Sequence, residues 1–523
     1  MEKKKIVLKL VLLFIIFLWL FFVGQIGGVS AIKGDINIID EGQFGAWVNH
    51  MLHGKVIYKE FFSPYGPMQV YPLYVLVKLF GPSFFVVRLY TAVIGVFLGI
   101  CVALYALKTL KVNKLISFIA ILFFLLYPGI QIRSWVAVLC FILVARYYDK
   151  KSKIIAFLTG VLISYSMLQS IEVGTFIFVI LTGFIASRLF LKKSREVTYK
   201  YLAYLISGII STIATFSIFA MHEGWLIAYI KSNYEFLPSV SGINLPNGQG
   251  LPNPLPGITF NISMLGVIKF LFSKNMLFYW NAVILLIFQT TLFIRLVLKK
   301  ITREDGIVFL VICYSFLTYF SIIGRSGHHF LYAPFVVLLA GYFLTLLFTS
   351  IKKNATRATL ILSITFFALF IGYIIRYLAI YRYTPFFNTA IHFNSKVHRV
   401  SPLAVSEGQA KDIIALQRFI NKNTKKTDTI FFVNNIPGWY FLLDRENATR
   451  FDYSLLAISK KQRLQLVDEL KFNKPVYIFE DIKAWSVDDV SDKLRNPEVF
   501  VYLKEKYFPF LKIRHFIIYK AKK

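Results

Sequence analysis

The chain has 523 residues, of which 57% are hydrophobic and 17% aromatic, with only 16% charged. That composition is too apolar for a water-soluble domain and points to a multi-spanning membrane protein. The formal net charge is +32, but most basic residues flank apolar segments, where the positive-inside bias and anionic headgroups account for them. Nucleic acid is therefore set aside as a partner in favour of membrane lipids.

The chain opens MEKKK before an apolar run without a small-residue cleavage site, which reads as an uncleaved first helix. Further apolar segments fall at about 84–107, 115–131, 134–148, 154–171, 173–190, 201–221, 276–298, 306–323, 330–350 and 357–381. With the first at about 6–26, they predict about eleven spans over residues 1–382. Lysine and arginine clusters at 3–5, 108–114, 150–153, 192–195, 299–303 and 352–353 alternate onto one side, taken as the cytoplasm. The N-terminus is then cytoplasmic and the C-terminus outside. Cys101, Cys140 and Cys313 lie in apolar stretches with no paired spacing, so neither a disulfide framework nor a thiolate metal site is indicated.

The first outer loop, 27–83, holds Asp35, Asp40, Glu41 and Glu60 in a part of the chain otherwise poor in acids. After Asp40 and Glu41, the residues Phe44, Trp47, Val48, Met51 and Leu52 recur at helical spacing and Gly54 supplies a stop. The spacing predicts a short amphipathic helix lying along the membrane surface, with its acidic start toward water. Asp40 is expected to cap it, with Gln43 completing a capping box. A cap and a general base are compatible roles, since a helix N-terminus favours the carboxylate anion.

Glu60 sits in YKEFFSPYGP, where two prolines and a glycine fix a turn. A solvated loop residue or an ion pair with Lys59 accounts for it equally well, and Lys59 is also placed to meet a phosphate. Glu172, in QSIEVGTF, falls in an outer turn where an interfacial charge is the plain reading. A second outer loop, 222–275, contains LPNGQGLPNPLPG and reads either as a gate beside a membrane cavity or as disorder. GRSGHHF at 324–330 ends the ninth span outside. Arg325 offers bidentate geometry to phosphate and His328 and His329 offer donors or ligands, while a polar turn with a snorkelling arginine is the bland alternative.

Composition shifts after Tyr383, beyond which 15 of the 27 acidic residues lie. Residues 383–523 predict a soluble extracytoplasmic α/β domain, with helices at 410–421 and 460–472 and buried strands at 429–433, 475–480 and 515–519.

The order DEG, a surface helix, GKVIYKEFFSPYGP, LFGPS and then Arg88 at the start of a span resembles the first outer loop of bacterial polyprenyl-phosphate-dependent glycosyltransferases. These are membrane enzymes of the GT-C fold, in the same broad class as aminoarabinose transferases and protein O-mannosyltransferases. GRSGHHF is similar to their arginine and histidine turn and IEVG to their mid-chain Glu and Gly.

The resemblance implies a GT-C fold and an inverting glycosyltransferase of the bacterial inner (plasma) membrane, acting on its outer face. It would move a monosaccharide from a polyprenyl phosphate to a glycan, lipid or protein acceptor. Asp40 would be the base, supported by Glu41, and Arg325, His328, His329 and Lys59 would hold the donor phosphate. Glu172 and Tyr65 would contact substrate, and Glu60 with His222 would hold a divalent metal ion. The chain departs from many relatives in having Glu60 in place of Asp, and Gln169 and Ser170 where a Lys precedes the mid-chain Glu. Two other functions fit the same location. One is a transporter or flippase of lipid-linked sugars, which is expected to carry ionisable groups inside its spans. The other is a polysaccharide polymerase or ligase.

Overall fold

The computed structural model describes residues 34–126, 132–190, 195–236, 266, 274–321, 333–354, 392–394, 397–452, 454–484, 486 and 491–522. The apolar segments at 6–26 and 357–381, residues 237–265 and 267–273 of the second outer loop, and the GRSGHHF turn lie outside these residues.

Two helices enter first, α1 (Asp40–Leu52) and α2 (Pro67–Phe80). A short α3 (Phe84–Arg88) runs through a π-helical stretch at Leu89–Ile94 into α4 (Gly95–Thr109). The helical body continues with α5 (Lys114–Leu126), α6 (Ile132–Lys150), α7 (Lys153–Gln169), α8 (Ile171–Phe190), α9 (Arg195–His222), α10 (Leu226–Phe236), α11 (Lys274–Val297), α12 (Arg303–Ser321) and α13 (Ala333–Asn354).

Among the described residues, α8 and α9 are long and apolar enough to cross a bilayer, and α7 is apolar but shorter. The figure of about eleven spans remains an expectation. The helices pack around Trp135, Phe141, Tyr147, Tyr201, Tyr314 and Phe335, while Ile206, Ile210, Ile213 and Ile218 of α9 face outward. An apolar exterior around an apolar core is what a lipid-facing bundle requires. Helices α7 and α9 meet backbone to backbone at two glycines: a Cβ on Gly160 would lie 2.1 Å from the Leu205 carbonyl oxygen, and one on Gly208 would lie 2.2 Å from that of Phe157. Small residues permit such close approach between membrane helices.

Acids on the lysine-rich side are paired. Lys111 meets Glu304 at 2.7 Å, Arg303 meets Asp149, and Asp305 accepts from Arg295 and from the Tyr342 hydroxyl at 2.9 Å.

The C-terminal part begins with a two-stranded antiparallel ribbon, β1 (His392–Asn394) and β2 (Ala404–Ser406). There follow α14 (Glu407–Asn423), β3 (Thr429–Phe432), α15 (Gly438–Leu443), β4 (Glu446–Asn447), α16 (Lys460–Asn473), β5 (Tyr477–Asp481), α17 (Asp492–Arg495), α18 (Pro497–Lys506), β6 (Tyr507–Ile513) and β7 (Phe516–Ala521). The five-stranded sheet has the order β4-β3-β5-β7-β6. Strand β3 pairs in parallel with β4 and β5, and β7 pairs antiparallel with β5 and β6. The predicted helices and strands appear within a few residues of their expected limits. Helix α16 starts on a capping box, Ser459 accepting from the Gln462 amide at 3.2 Å and Gln462 accepting from the Ser459 amide at 2.9 Å.

Helix α1 forms where the sequence predicts it, and both of its sides are covered by protein. Residues Gly42, Gln43 and Gly45–Met51 are buried, because α15 seats on a side made of small residues that hydropathy reads as neutral. Gly42, Gly45 and Ala46 make that seat. A Cβ on Gly42 would lie 2.5 Å from the Gly438 amide nitrogen, and one on Gly45 would meet Phe84 at 3.1 Å and Phe441 at 3.2 Å. The helix is a layer between the membrane body and the C-terminal sheet.

Candidate active site

The start of α1 is organised by Asn37, not by Asp40. The Asn37 Oδ1 accepts the amides of Ile39 at 3.0 Å and Asp40 at 2.9 Å, and its Nδ2 donates to Asp40 Oδ2 at 2.9 Å. The expected Asp40 and Gln43 capping box is absent, and Asp40 makes no side-chain cap bond. An asparagine three residues ahead does the capping in its place, leaving the Asp40 carboxylate turned outward.

The other acids of the loop are engaged. Asp35 accepts from the Ser406 amide at 2.6 Å and from its hydroxyl at 2.8 Å, tying the loop to the start of α14. Glu41 is gripped by Arg88, whose Nε donates to Oε1 at 2.9 Å and to Oε2 at 3.1 Å. Arg88 is fully buried and also donates to the carbonyls of Gly34 at 2.9 Å and Asp35 at 2.5 Å. Glu60 Oε2 accepts the Val56 amide at 2.6 Å and closes its own turn. Asp40 is exposed and, among the described residues, its Oδ1 has no partner. Among the described residues Glu60 also keeps one oxygen, Oε1, without a partner, but of these two exposed acids only Asp40 stands at the start of a helix.

The far end of α1 is held by the C-terminal domain. Asn49 Nδ2 donates to the Arg445 carbonyl at 3.0 Å, and its Oδ1 accepts from Arg399 Nη1 at 2.5 Å. Arg399 also donates to the Phe441 carbonyl at 2.9 Å, pairs with Asp444, and lies over the Phe441 ring. Burial pulls the Arg399 guanidinium below its ordinary pKa, with Asp444 opposing. His50 Nε2 meets Asp452 Oδ1 at 2.7 Å with both side chains buried, and the ring stacks on Phe61. Sequence reasoning missed Asn49, His50, Arg399 and Asp452. Their partners lie some 350 to 402 positions away, and no local pattern marks them.

The SPYGP turn and the IEVG corner, singled out separately in the sequence, are neighbours. The Gly66 amide donates to the Gln169 carbonyl at 3.0 Å, and a Cβ on Gly66 would lie 1.9 Å from the Leu168 carbonyl oxygen. Tyr65 packs edge-on against Trp47, with ring centroids 5.9 Å apart, and Glu172 is exposed in the first turn of α8. Lys59 is exposed at the tip of the turn that Glu60 closes. His222 ends α9, exposed, and approaches Glu223 at 3.3 Å. Arg325, His328 and His329 lie outside the described residues. Among the described residues no group of three or more His, Cys, Asp and Glu side chains gathers as a metal site, and Glu60 and His222 are each engaged locally.

A helical bundle joined through α1 to an α/β layer is an architecture that solved proteins share. The fold is of the GT-C type. The chain is similar to an Archaeoglobus fulgidus oligosaccharyltransferase solved with a tethered acceptor peptide containing the NVT sequon. The TM-score is 0.54 at 11% identity, covering 98% of this chain and 74% of that one. It is also similar to ArnT from Cupriavidus metallidurans in the apo state, with a TM-score of 0.50 at 12% identity, covering 99% of this chain and 98% of that one. No protein-family model matches the chain, and no curated protein matches it by sequence.

Proposed function

We propose that the protein is an inverting membrane glycosyltransferase moving a monosaccharide from a polyprenyl phosphate to a cell-envelope acceptor. The acceptor hydroxyl oxygen attacks the anomeric carbon, the bond from that carbon to the phosphate oxygen breaks, and polyprenyl phosphate leaves with the electron pair. Asp40 takes the hydroxyl proton. The observation that carries this reading is the open Asp40 Oδ1, on a helix start that Asn37, Arg88 and Gly438 hold in place. A single displacement inverts the sugar.

Arg325, His328, His329 and Lys59 are assigned to the donor phosphate, where positive charge stabilises the leaving group. Glu172 and Tyr65 are assigned to substrate, on the corner where the first outer loop meets α8. Glu41 positions Asp40 through Arg88. No step is routed through a metal. If Glu60 and His222 hold a divalent ion, it would help neutralise the phosphate. The site is assigned to the outer face of the bacterial inner membrane, with a cytoplasmic N-terminus and an extracytoplasmic C-terminal domain.

The test uses protein in lipid nanodiscs, an undecaprenyl-phosphate-linked radiolabelled hexose and delipidated envelope extract as acceptor. Wild-type protein should label the extract and release undecaprenyl phosphate. Asp40→Asn should slow both by about a hundredfold or more while melting like the wild type. A full-rate D40N enzyme would remove Asp40 as the base, and flipping of the lipid without a labelled product would make the protein a transporter.

A further inference from the structure

Beside the Gly66 contact lies a polar seam with unmet hydrogen-bonding capacity. Gln169, the last residue of α7, is 1% exposed, and among the described residues neither its Nε2 nor its Oε1 has a partner. Gln69, in the first turn of α2, has a buried Oε1 that is also unpartnered among the described residues. Gly66 links the two: its amide donates to the Gln169 carbonyl and its carbonyl accepts the Gln69 amide, each at 3.0 Å. The backbone is thus tightly fitted while, among the described residues, the Gln169 amide and the Gln69 side-chain oxygen are left unpaired. A buried amide without partners is costly, and a methionine of similar length would fill the place without that cost.

We propose that this seam is a sugar-hydroxyl subsite, in which Gln169 Nε2 and Oε1 and Gln69 Oε1 bond the hydroxyls of a saccharide. The inference rests on the glycosyltransferase reading and adds to it the residues that recognise the sugar. Hydroxyls both donate and accept, which matches an amide that does the same. A phosphate calls for cationic donors, which an uncharged amide is not. Leu168, adjoining Gln169, packs in one cluster with Trp47 and Tyr65, so the seam lies beside the aromatic wall of the first outer loop.

The test compares wild-type protein with Gln169→Met and Gln69→Met in nanodiscs. It measures binding of undecaprenyl phosphate with and without a linked hexose, protection by methyl hexosides, and melting without ligand. Wild-type protein should prefer the sugar-bearing lipid about tenfold, as one or two neutral hydrogen bonds allow. Q169M should lose most of that preference, keep its affinity for bare undecaprenyl phosphate, and melt no lower than wild type. If the preference is absent but protection by a methyl hexoside is lost in Q169M, the bound sugar is the acceptor's.

Undiminished sugar preference in Q169M, or a lower unliganded melting temperature, would overturn the subsite. So would a wild-type protein that binds the bare lipid and ignores sugar in both arms, and that result leaves the glycosyltransferase reading standing. Wild-type protein that binds neither lipid overturns both.

Discussion

Glu41 and the fully buried Arg88 form a bidentate pair, Nε donating to Oε1 at 2.9 Å and Nη2 to Oε2 at 3.1 Å, joining the first turn of α1 to the end of α3. Adjacent acids in sequence thus have different work, Glu41 holding the helix and Asp40 facing outward. Removing Glu41 leaves a buried guanidinium short of its counter-charge, at a cost of about 3 kcal/mol. Glu41→Ala should therefore lower the melting temperature of detergent-purified protein, whereas D40N should not. Equal melting of the two variants would show that Arg88 does not depend on Glu41.

The meeting of Gly42 and Gly438 gives a second prediction. A Cβ on Gly42 would lie 2.5 Å from the Gly438 nitrogen and 2.7 Å from its Cα, both backbone atoms that cannot swing aside. Gly42→Ala should push α1 off α15 at a cost of about 1–3 kcal/mol and displace Asp40 two residues away. Transfer should then fall more steeply than stability. The comparison of kcat with melting temperature in G42A checks this, and wild-type turnover would mean that Asp40 tolerates the shift.

Much of this layout was legible in the sequence, and the parts that were not share a cause. Periodicity from Phe44 to Leu52 located α1, and β-rich runs at 429–433 and 475–480 located the central parallel strands. Hydropathy treats Gly42, Gly45 and Ala46 as neutral, so the second buried face of α1 was invisible, although small residues on one side of a helix are what close docking requires. Asp40 looked like the cap because the preference for a carboxylate at a helix start is local. Asn37 instead caps one turn earlier, its side chain taking the amides of Ile39 and Asp40, while the Gly42 and Gln43 amides that an Asp40 cap would need go to the carbonyls of Asn37 and Ile39. The contacts of Asn49 with Arg399 and of His50 with Asp452 join positions so far apart that no spacing rule reaches them.

His50 and Asp452 bridge α1 to the C-terminal domain out of contact with solvent, 2.7 Å apart, and Asn447 Nδ2 shares the same carboxylate oxygen at 3.2 Å. Either truncation strands the remaining partner, so His50→Ala and Asp452→Ala should each destabilise, but together by less than their sum. The expected coupling is about 1–3 kcal/mol in a double-mutant cycle measured by chemical unfolding. Strict additivity would mean that the pair does not fasten the domain.

Asp492 offers a pH signature in the C-terminal domain. Burial pushes its carboxyl from 3.8 up to about 6, against the opposing effect of the Asn434 side chain, which donates to Oδ2 at 3.0 Å. The folded domain therefore holds this proton more tightly than the unfolded chain. Its contribution to stability is fully present below about 3.8 and is lost as pH rises through about 6. A shift of that size corresponds to about 2–3 kcal/mol. Other carboxylates titrate nearby, so the measurement is a difference: wild type minus Asp492→Asn, melted from pH 4 to 7. That difference should fall with rising pH and level off above about pH 7. A flat or rising difference would mean that Asp492 is ionised in the folded domain throughout the range, with Asn434 and Asn435 outweighing its burial.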